Sequence, residues 1–577
     1  MLSLLGIPVA QLFGVSGQHQ IAQTESTAVI KNIRARLIKM GQLALVTAIV
    51  TACAAPVTRQ DENQLEASEL GAVAFDVSCS TEVSEDFDQE IALLHHMQYV
   101  QSRTAFEQIV QSAPDCGMAH WGVAMTLFQP LWPSRPGPEI LQRGWEEVQL
   151  AQSLGLGSDR ETDLVNATAA FFQEPESADW RLRIQRWSDG MNQAYAARPD
   201  DIETAVFYAL SQLAVGQYES DRMEYHAHAA DVLLKVYEQE PAHPGAIHYT
   251  IHANDVHSRA NESLDVVRSY GAIAPAVPHA LHMPTHIFVR LGSWPEVIEW
   301  NRRSADAALN FPAPDGISHH YPHALDYLVY AYLQQGNDRM ANSIVEETLA
   351  REEPFQGTFI SAFHLASIPA RYAVERHAWD EAKAIIPATP SSVAWERFYW
   401  AEAISWFAQG LGAVHTDDME QAEQAELKII ELRDKAKAAG EDGFANYIEI
   451  DRLVLSAWRA YGAGEIERSL ELAGAAIDLE ASTEKHPITP GAIYPAQEAL
   501  GDLLLNMGRF KEAYPAYEKS LVTWPGRFNS IAGAARAARE AGLEDKATTH
   551  YQSLMAMSVE PDSSRPALLE ARKFLKR

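Results

Sequence analysis

Residues 496–525 read AQEALGDLLLNMGRFKEAYPAYEKSLVTWP. Ala496, Leu500 and Leu504 recur at helical spacing, Gly508-Arg509 interrupts the stripe, Phe510, Ala513 and Tyr517 begin a second one, and Pro525 ends it. Small residues such as Gly501 and Ala513 let paired helices approach, and a large one such as Tyr517 fills the gap between them. Gly508 returns as Gly542, 34 residues on, so the helix–turn–helix unit is repeated. From about residue 85 the chain continues in the same manner, with turns at Arg198-Pro199-Asp200, Glu240-Pro241, Arg290-Leu291-Gly292, Gln334-Gln335-Gly336 and Tyr461-Gly462. Strand alternation is nearly absent and the turn spacing is uneven. The pattern predicts an all-α superhelix of divergent helical hairpins, an α-solenoid with a concave face. The Pro-rich stretch from Ile386 to Pro390 suggests a seam between a histidine-rich part, 85–385, and C-terminal repeats, 386–577.

The chain has 577 residues, 47% of them hydrophobic, enough for a large core. Its formal charge of −31 argues against a nucleic-acid partner, which needs a basic surface. Three cysteines exclude multi-cysteine zinc modules and iron–sulfur cages, while 21 histidines leave room for imidazole-based metal chemistry. Near the start, a basic run (Lys31, Arg34, Arg36, Lys39) precedes the apolar stretch Met40–Val50 and then Thr51-Ala52-Cys53. This is similar to a lipoprotein-type signal segment, 1–52, and the apolar run is short for a spanning helix. The expected product is a cell-envelope, periplasm-facing lipoprotein held to the membrane by lipid on Cys53, with 53–84 as tether. In such an oxidising compartment Cys79 and Cys116 are most simply a disulfide; a redox pair or thiolate ligands is the other reading.

Helical hairpins have no inherent need for histidine, yet histidines cluster here. In His243-Pro244-Gly245-Ala246-Ile247-His248-Tyr249-Thr250-Ile251-His252-Ala253-Asn254-Asp255, a helix after Pro244 puts His248 and His252 one turn apart, with Asp255 near the same face. In His279-Ala280-Leu281-His282-Met283-Pro284-Thr285-His286, Pro284 fits the first turn of a helix and aligns His282 with His286. Two such pairs on neighbouring helices would bring four imidazoles together. His323 and Asp326 share a face and would add a ligand or orient one; His319 and His320 read as loop residues. At Leu94-His95-His96-Met97 one histidine is expected inward and one outward. The late turn Glu484-Lys485-His486-Pro487 would close the cavity, with Glu484 and His486 as a general acid–base pair, an extra ligand, or simply a rigid connection.

Together with Pro114-Asp115-Cys116-Gly117-Met118-Ala119-His120-Trp121-Gly122 and Leu325-Asp326-Tyr327-Leu328, these phrases resemble a bacterial family of exported or lipoprotein tetratricopeptide-repeat proteins with histidine-rich signatures. The resemblance spans roughly 72–560 and departs from the usual pattern at His120 and at Met97-Gln98-Tyr99. It implies a tetratricopeptide-like superhelix and export, and no particular reaction. Two functions follow. In the first, His248, His252, His282, His286, Asp255 and His323 hold a divalent transition metal (zinc, iron, copper or manganese), whose open position serves a hydrolase or an oxidoreductase acting on a small organic substrate. In the second, the concave groove is a non-catalytic scaffold for a peptide or protein partner. Signatures for nucleotide use, His-Glu-x-x-His peptidases and serine hydrolases are missing.

Overall fold

The computed structural model describes residues 69–576 apart from 81–82, 133–134, 178, 257 and 560–564, so the signal segment, Cys53 and most of the tether lie outside the described residues. The described chain is a succession of α-helices, each packed on the next, with no strand and only the isolated bridges Ala313–Gly316 and Ile317–Phe355. None of these helices is long and apolar enough to cross a membrane. The repeat read from 496–525 is present as Ala496–Asn506 paired with Phe510–Thr523, followed by Phe528–Glu540 paired with Glu544–Met557. Gly508 and Gly542 end the first helix of each pair with φ of 71° and 76°, a backbone that favours glycine.

Close packing at the joints follows from small residues. A Cβ placed on Gly533 would stand 2.3 Å from the buried ring of Tyr517. Gly533→Val is therefore expected to cost about 1–3 kcal/mol by overpacking, read as a lower urea midpoint at unchanged m-value.

The core is a series of clusters built mostly from residues close in sequence, one from Phe75 to Ala253, one mainly from Ile247 to Ala331, and others from Ile360 to Leu503 and Leu504 to Ala571. That is the packing of an α-solenoid of tetratricopeptide-like hairpins. The Ile386–Pro390 stretch lies between helices that share the cluster from Ile360 to Leu503.

Distant units also meet. Arg527 binds Glu375 at 2.6 Å and Glu498 at 2.7 Å with all three side chains buried, Trp294 Nε1 donates to the Gly526 carbonyl (3.0 Å), and Gln334 accepts from the Phe528 amide (2.8 Å). The superhelix thus turns its C-terminal hairpins against the middle of the chain.

At the other end, residues 72–79 run as irregular chain clasped by Glu161, whose carboxylate accepts from both the amide and hydroxyl of Ser78 at 2.6 Å. Cys79 and Cys116 are joined as a disulfide. It ties this segment to the start of the helix Gly117–Thr126, a constraint of about 3–4 kcal/mol for a loop of this length.

The connection between the helices Ile466–Ala481 and Ala496–Asn506 does not skirt the surface. Tyr447 donates to the Glu484 carbonyl (2.7 Å), Tyr327 to that of Pro487 (3.0 Å) and Arg371 to that of Gly491 (3.1 Å), so the loop is held inward.

Candidate metal centre

His243 caps the helix Pro244–Asn254 through Nδ1, which accepts from the Ala246 amide, and Pro244 occupies its first turn. The helix then carries His248 and His252 one turn apart, with ring centres 5.0 Å apart. His248 Nδ1 donates to the His95 carbonyl at 2.6 Å, which leaves the Nε2 lone pair facing inward; the Nε2 atoms of both His248 and His252 are buried without a hydrogen bond. The third ring of this group is His279, 4.9 Å from His248 between ring centres, and neither of its nitrogens has a partner. His248, His252 and His279 each present one nitrogen within 4.8 Å of the others.

The second group forms where Pro284 splits what would be one helix into Pro278–His282 and Pro284–Leu291. Without an amide hydrogen, Pro284 cannot continue the first helix's ladder. His282 and His286, on either side of this break, point their Nε2 atoms at one another across 3.0 Å. Their other nitrogens fix which tautomer is present. Asn301 donates its amide to the Val297 carbonyl (2.8 Å), so its Oδ1 accepts from His282 Nδ1 at 2.7 Å. Asp255 accepts from His286 Nδ1 at 3.1 Å and is itself held ionised, well below the usual carboxylate range against the opposing pull of burial, by Lys485 and Arg290. Both rings therefore carry hydrogen on Nδ1, and two Nε2 lone pairs converge. Two bare lone pairs at that distance repel. Two nitrogens on one metal ion, each with a bond of about 2.0–2.1 Å, lie about 3–3.4 Å apart at square to tetrahedral angles. His323, on the helix His320–Gln334, completes the set with an unpartnered buried Nε2, its ring centre 4.1 Å from that of His282. These ligand atoms also lie within 4.8 Å of one another.

Burial drives all six rings toward the neutral form that ligates metals. Desolvation, reinforced by neighbouring imidazoles, holds His248, His279, His282 and His323 well below the ordinary histidine range and pushes His252 down to about 3. His286 is lowered by desolvation against the opposing pull of Asp255. Each unmade hydrogen bond on a buried nitrogen costs about 1–3 kcal/mol, so this crowd of orphaned acceptors suits a shared cation.

The four imidazoles expected on one ion are instead divided between two triads, each completed by a third histidine. Asp255 stands outside both ligand sets and orients His286. Asp326 does not meet His323. It accepts from His364 Nδ1 (3.1 Å) and Arg371 Nε (2.9 Å), leaving His364 Nε2 buried and unpartnered while its ring stacks on His323 at 4.4 Å. His279, His364 and His319 were not anticipated as site residues. His319 and His320 belong to the cluster rather than to an open loop: His320 opens a helix, and both rings pack with Trp132, a partly exposed residue that also covers His279. The signal for His279 was its spacing of three from His282.

A third group, His95, His243 and Glu203, is a closed hydrogen-bond set. Both histidines donate Nε2 to Glu203 (2.9 and 3.0 Å), and their Nδ1 atoms accept from Tyr249 and the Ala246 amide. His95 and His96 both point inward, because Tyr270 and the Leu70 carbonyl satisfy His96 there; one inward and one outward had been expected.

Glu484 and His486 line a cavity of about 340 Å³ walled by Tyr330, Phe363, Trp400 and Tyr447, with no triad residue among its lining. The layer Asp255–Arg290–Glu484 lies beside it, with bonds of 2.7 and 2.8 Å. His486 accepts from the Ile488 amide and is pushed down to about 3 by desolvation and by Lys485. In the lining of the same cavity, burial raises Asp451 to about 8 and Glu480 to about 7.

No protein-family model and no curated protein sequence matches this chain. Solved structures similar to this chain include a monomeric IFIT1 mutant with m7Gppp-AAAA, 11% identical over 83% of this chain and 96% of that one, with a TM-score of 0.34. The Cut9–Hcn1 hetero-tetramer of the APC/C is 14% identical over 85% and 96%, with a TM-score of 0.26. At these values the likeness carries no argument about fold or function.

Proposed function

We propose that this chain is a metalloprotein whose transition-metal centre is built inside the superhelix on His282, His286 and His323, and that the centre acts on a small organic substrate. The observation that carries the reading is the pair of Nε2 lone pairs held 3.0 Å apart by acceptors on their opposite nitrogens. A metal bound there would supply Lewis-acid or redox chemistry. Asn301 and Asp255 fix the ring orientations, and Trp132 restricts access from the His279 side. The aromatic cavity beside Glu484 and His486 has the size for a small organic molecule, adjoins the triad through Asp255, which binds both His286 and the cavity-lining Arg290, and holds these two residues as acid–base candidates. We further infer export and anchoring through Cys53, supported by the basic, apolar and small-residue sequence before it and by the Cys79–Cys116 disulfide.

The test is elemental analysis of untagged protein after supplementation with zinc, iron, manganese or copper, beside His282→Ala and His286→Ala variants. Near-stoichiometric metal in the parent, lost from this triad in variants with parental circular dichroism, is the expected result. Absence of every metal from the parent would favour a non-catalytic scaffold whose groove binds a peptide or protein.

A further inference from the structure

The triad His248, His252 and His279 is as complete as the one proposed above, and the two are neighbours. His279 and His282 sit three residues apart on the five-residue helix Pro278–His282, with ring centres 6.4 Å apart and planes at 21°. Each belongs to a different triad. Resting on the metalloprotein reading, we infer that the interior holds two metal ions side by side, one per triad, and that both are copper.

Two observations carry the second ion. The first is chemical completeness: His248 is oriented by the His95 carbonyl as His282 is by Asn301, and four nitrogens of this triad are buried with no hydrogen bond. Hydrogen-bonded core histidines in the same protein look different, since His95, His96 and His243 have both ring nitrogens satisfied. The second is that the two sets are separate groups: mutual distances within 4.8 Å hold inside each triad and not across all six nitrogens, whereas ligands of one ion at bonds of about 2.1 Å lie within about 4.2 Å of one another.

The choice of copper follows from charge and donor type. All six donors are neutral imidazole nitrogens, and neither set contains a carboxylate or thiolate. The nearby carboxylates are already opposed: Asp255 by Arg290 and Lys485, and Asp326 by Arg371. Two divalent ions would bring four positive charges among buried side chains whose carboxylates are already opposed, whereas two cuprous ions bring half that. Imidazole is among copper's usual donors, and of the metals that imidazole suits, copper alone has a stable monovalent form; were the ions oxidised in place, divalent affinity also peaks at copper along the first transition row.

The experiment is metal stoichiometry on the full chain loaded anaerobically with cuprous ion under reductant, and separately with zinc, for the parent, His252→Gln, His323→Gln and the double variant. The parent is expected to retain two copper ions per chain, each single variant one, and the double variant none, with less than one zinc retained after the same wash. Glutamine keeps much of the side-chain volume, and circular dichroism with thermal melting identifies any variant that does not fold; His252→Asn and His323→Asn then take its place. One copper in the parent, or loss of all copper from either folded single variant, overturns the second ion while leaving the metalloprotein reading intact. Two zinc ions retained in preference to copper overturn the copper assignment. No metal of either kind overturns both readings.

Discussion

Arg527→Met lowers the stability of the protein by about 3–5 kcal/mol, measured by urea denaturation at neutral pH. The guanidinium is buried between Glu375 and Glu498, which it holds at 2.6 and 2.7 Å, and neither carboxylate has access to water. Removing the cation strips two buried acids of their bonded guanidinium where the C-terminal hairpins close against the middle of the chain, leaving Glu375 only the weaker pull of Arg371 and Arg565. The pH dependence has a definite sign. Glu375 is already raised above its ordinary value by burial, despite the opposing pull of Arg527, and loses that pull in the variant. A folded-state pKa above the unfolded value means the folded state binds more protons at intermediate pH, so stability falls as pH rises above the ordinary glutamate range. The variant is therefore expected to lose more ground relative to the parent at pH 8 than at pH 5. A uniform loss across that range would mean the defect is one of packing rather than of charge.

The second large effect is on metal affinity. Asp255→Asn is expected to weaken binding at the His282–His286–His323 triad by about 10–100-fold, read by chelator competition, because the residue that sets His286's tautomer and ring orientation no longer carries charge. Stability should fall as well, since Arg290 and Lys485 lose the carboxylate that both face. The two effects separate in Asn301→Ala, which removes His282's acceptor without unpairing a charge. Reduced metal affinity in both variants supports orientation through Nδ1. Unchanged affinity in Asn301→Ala with reduced affinity in Asp255→Asn would assign the latter to the lost charge alone.

Helix period and turn chemistry made the fold legible: Gly508 and Gly542 mark the repeat, and the structure places both at helix ends with positive φ. The pairing of His282 with His286 was legible because Pro284 lies between them and proline's effect on a helix is local. The grouping of histidines was less so. Whether His248 joins His282 or His279 depends on how adjacent hairpins cross, which no spacing along one helix specifies. The case of Asp326 is similar. Its spacing puts it on one face with His323, adding or orienting a ligand, and the histidine it holds is His364, which with Arg371 comes from the helix Phe359–Val374, outside the stretch 318–327. Glu484 and His486 read as a polar turn because prolines follow, whereas the ion-paired layer of Asp255 and Arg290 beside that turn is a tertiary feature.

The inward loop after Ala481 bears on the order of events during biogenesis. Its contacts with Tyr327, Arg371 and Tyr447 form only when the last fifth of the polypeptide has arrived, long after the histidine helices have been made. Until then Asp255 lacks Lys485 and Arg290 lacks Glu484, the two charges that the loop brings to the layer behind His286. An ion held at His286 would therefore meet its full set of orienting charges only after the C-terminal hairpins have closed on the middle of the chain.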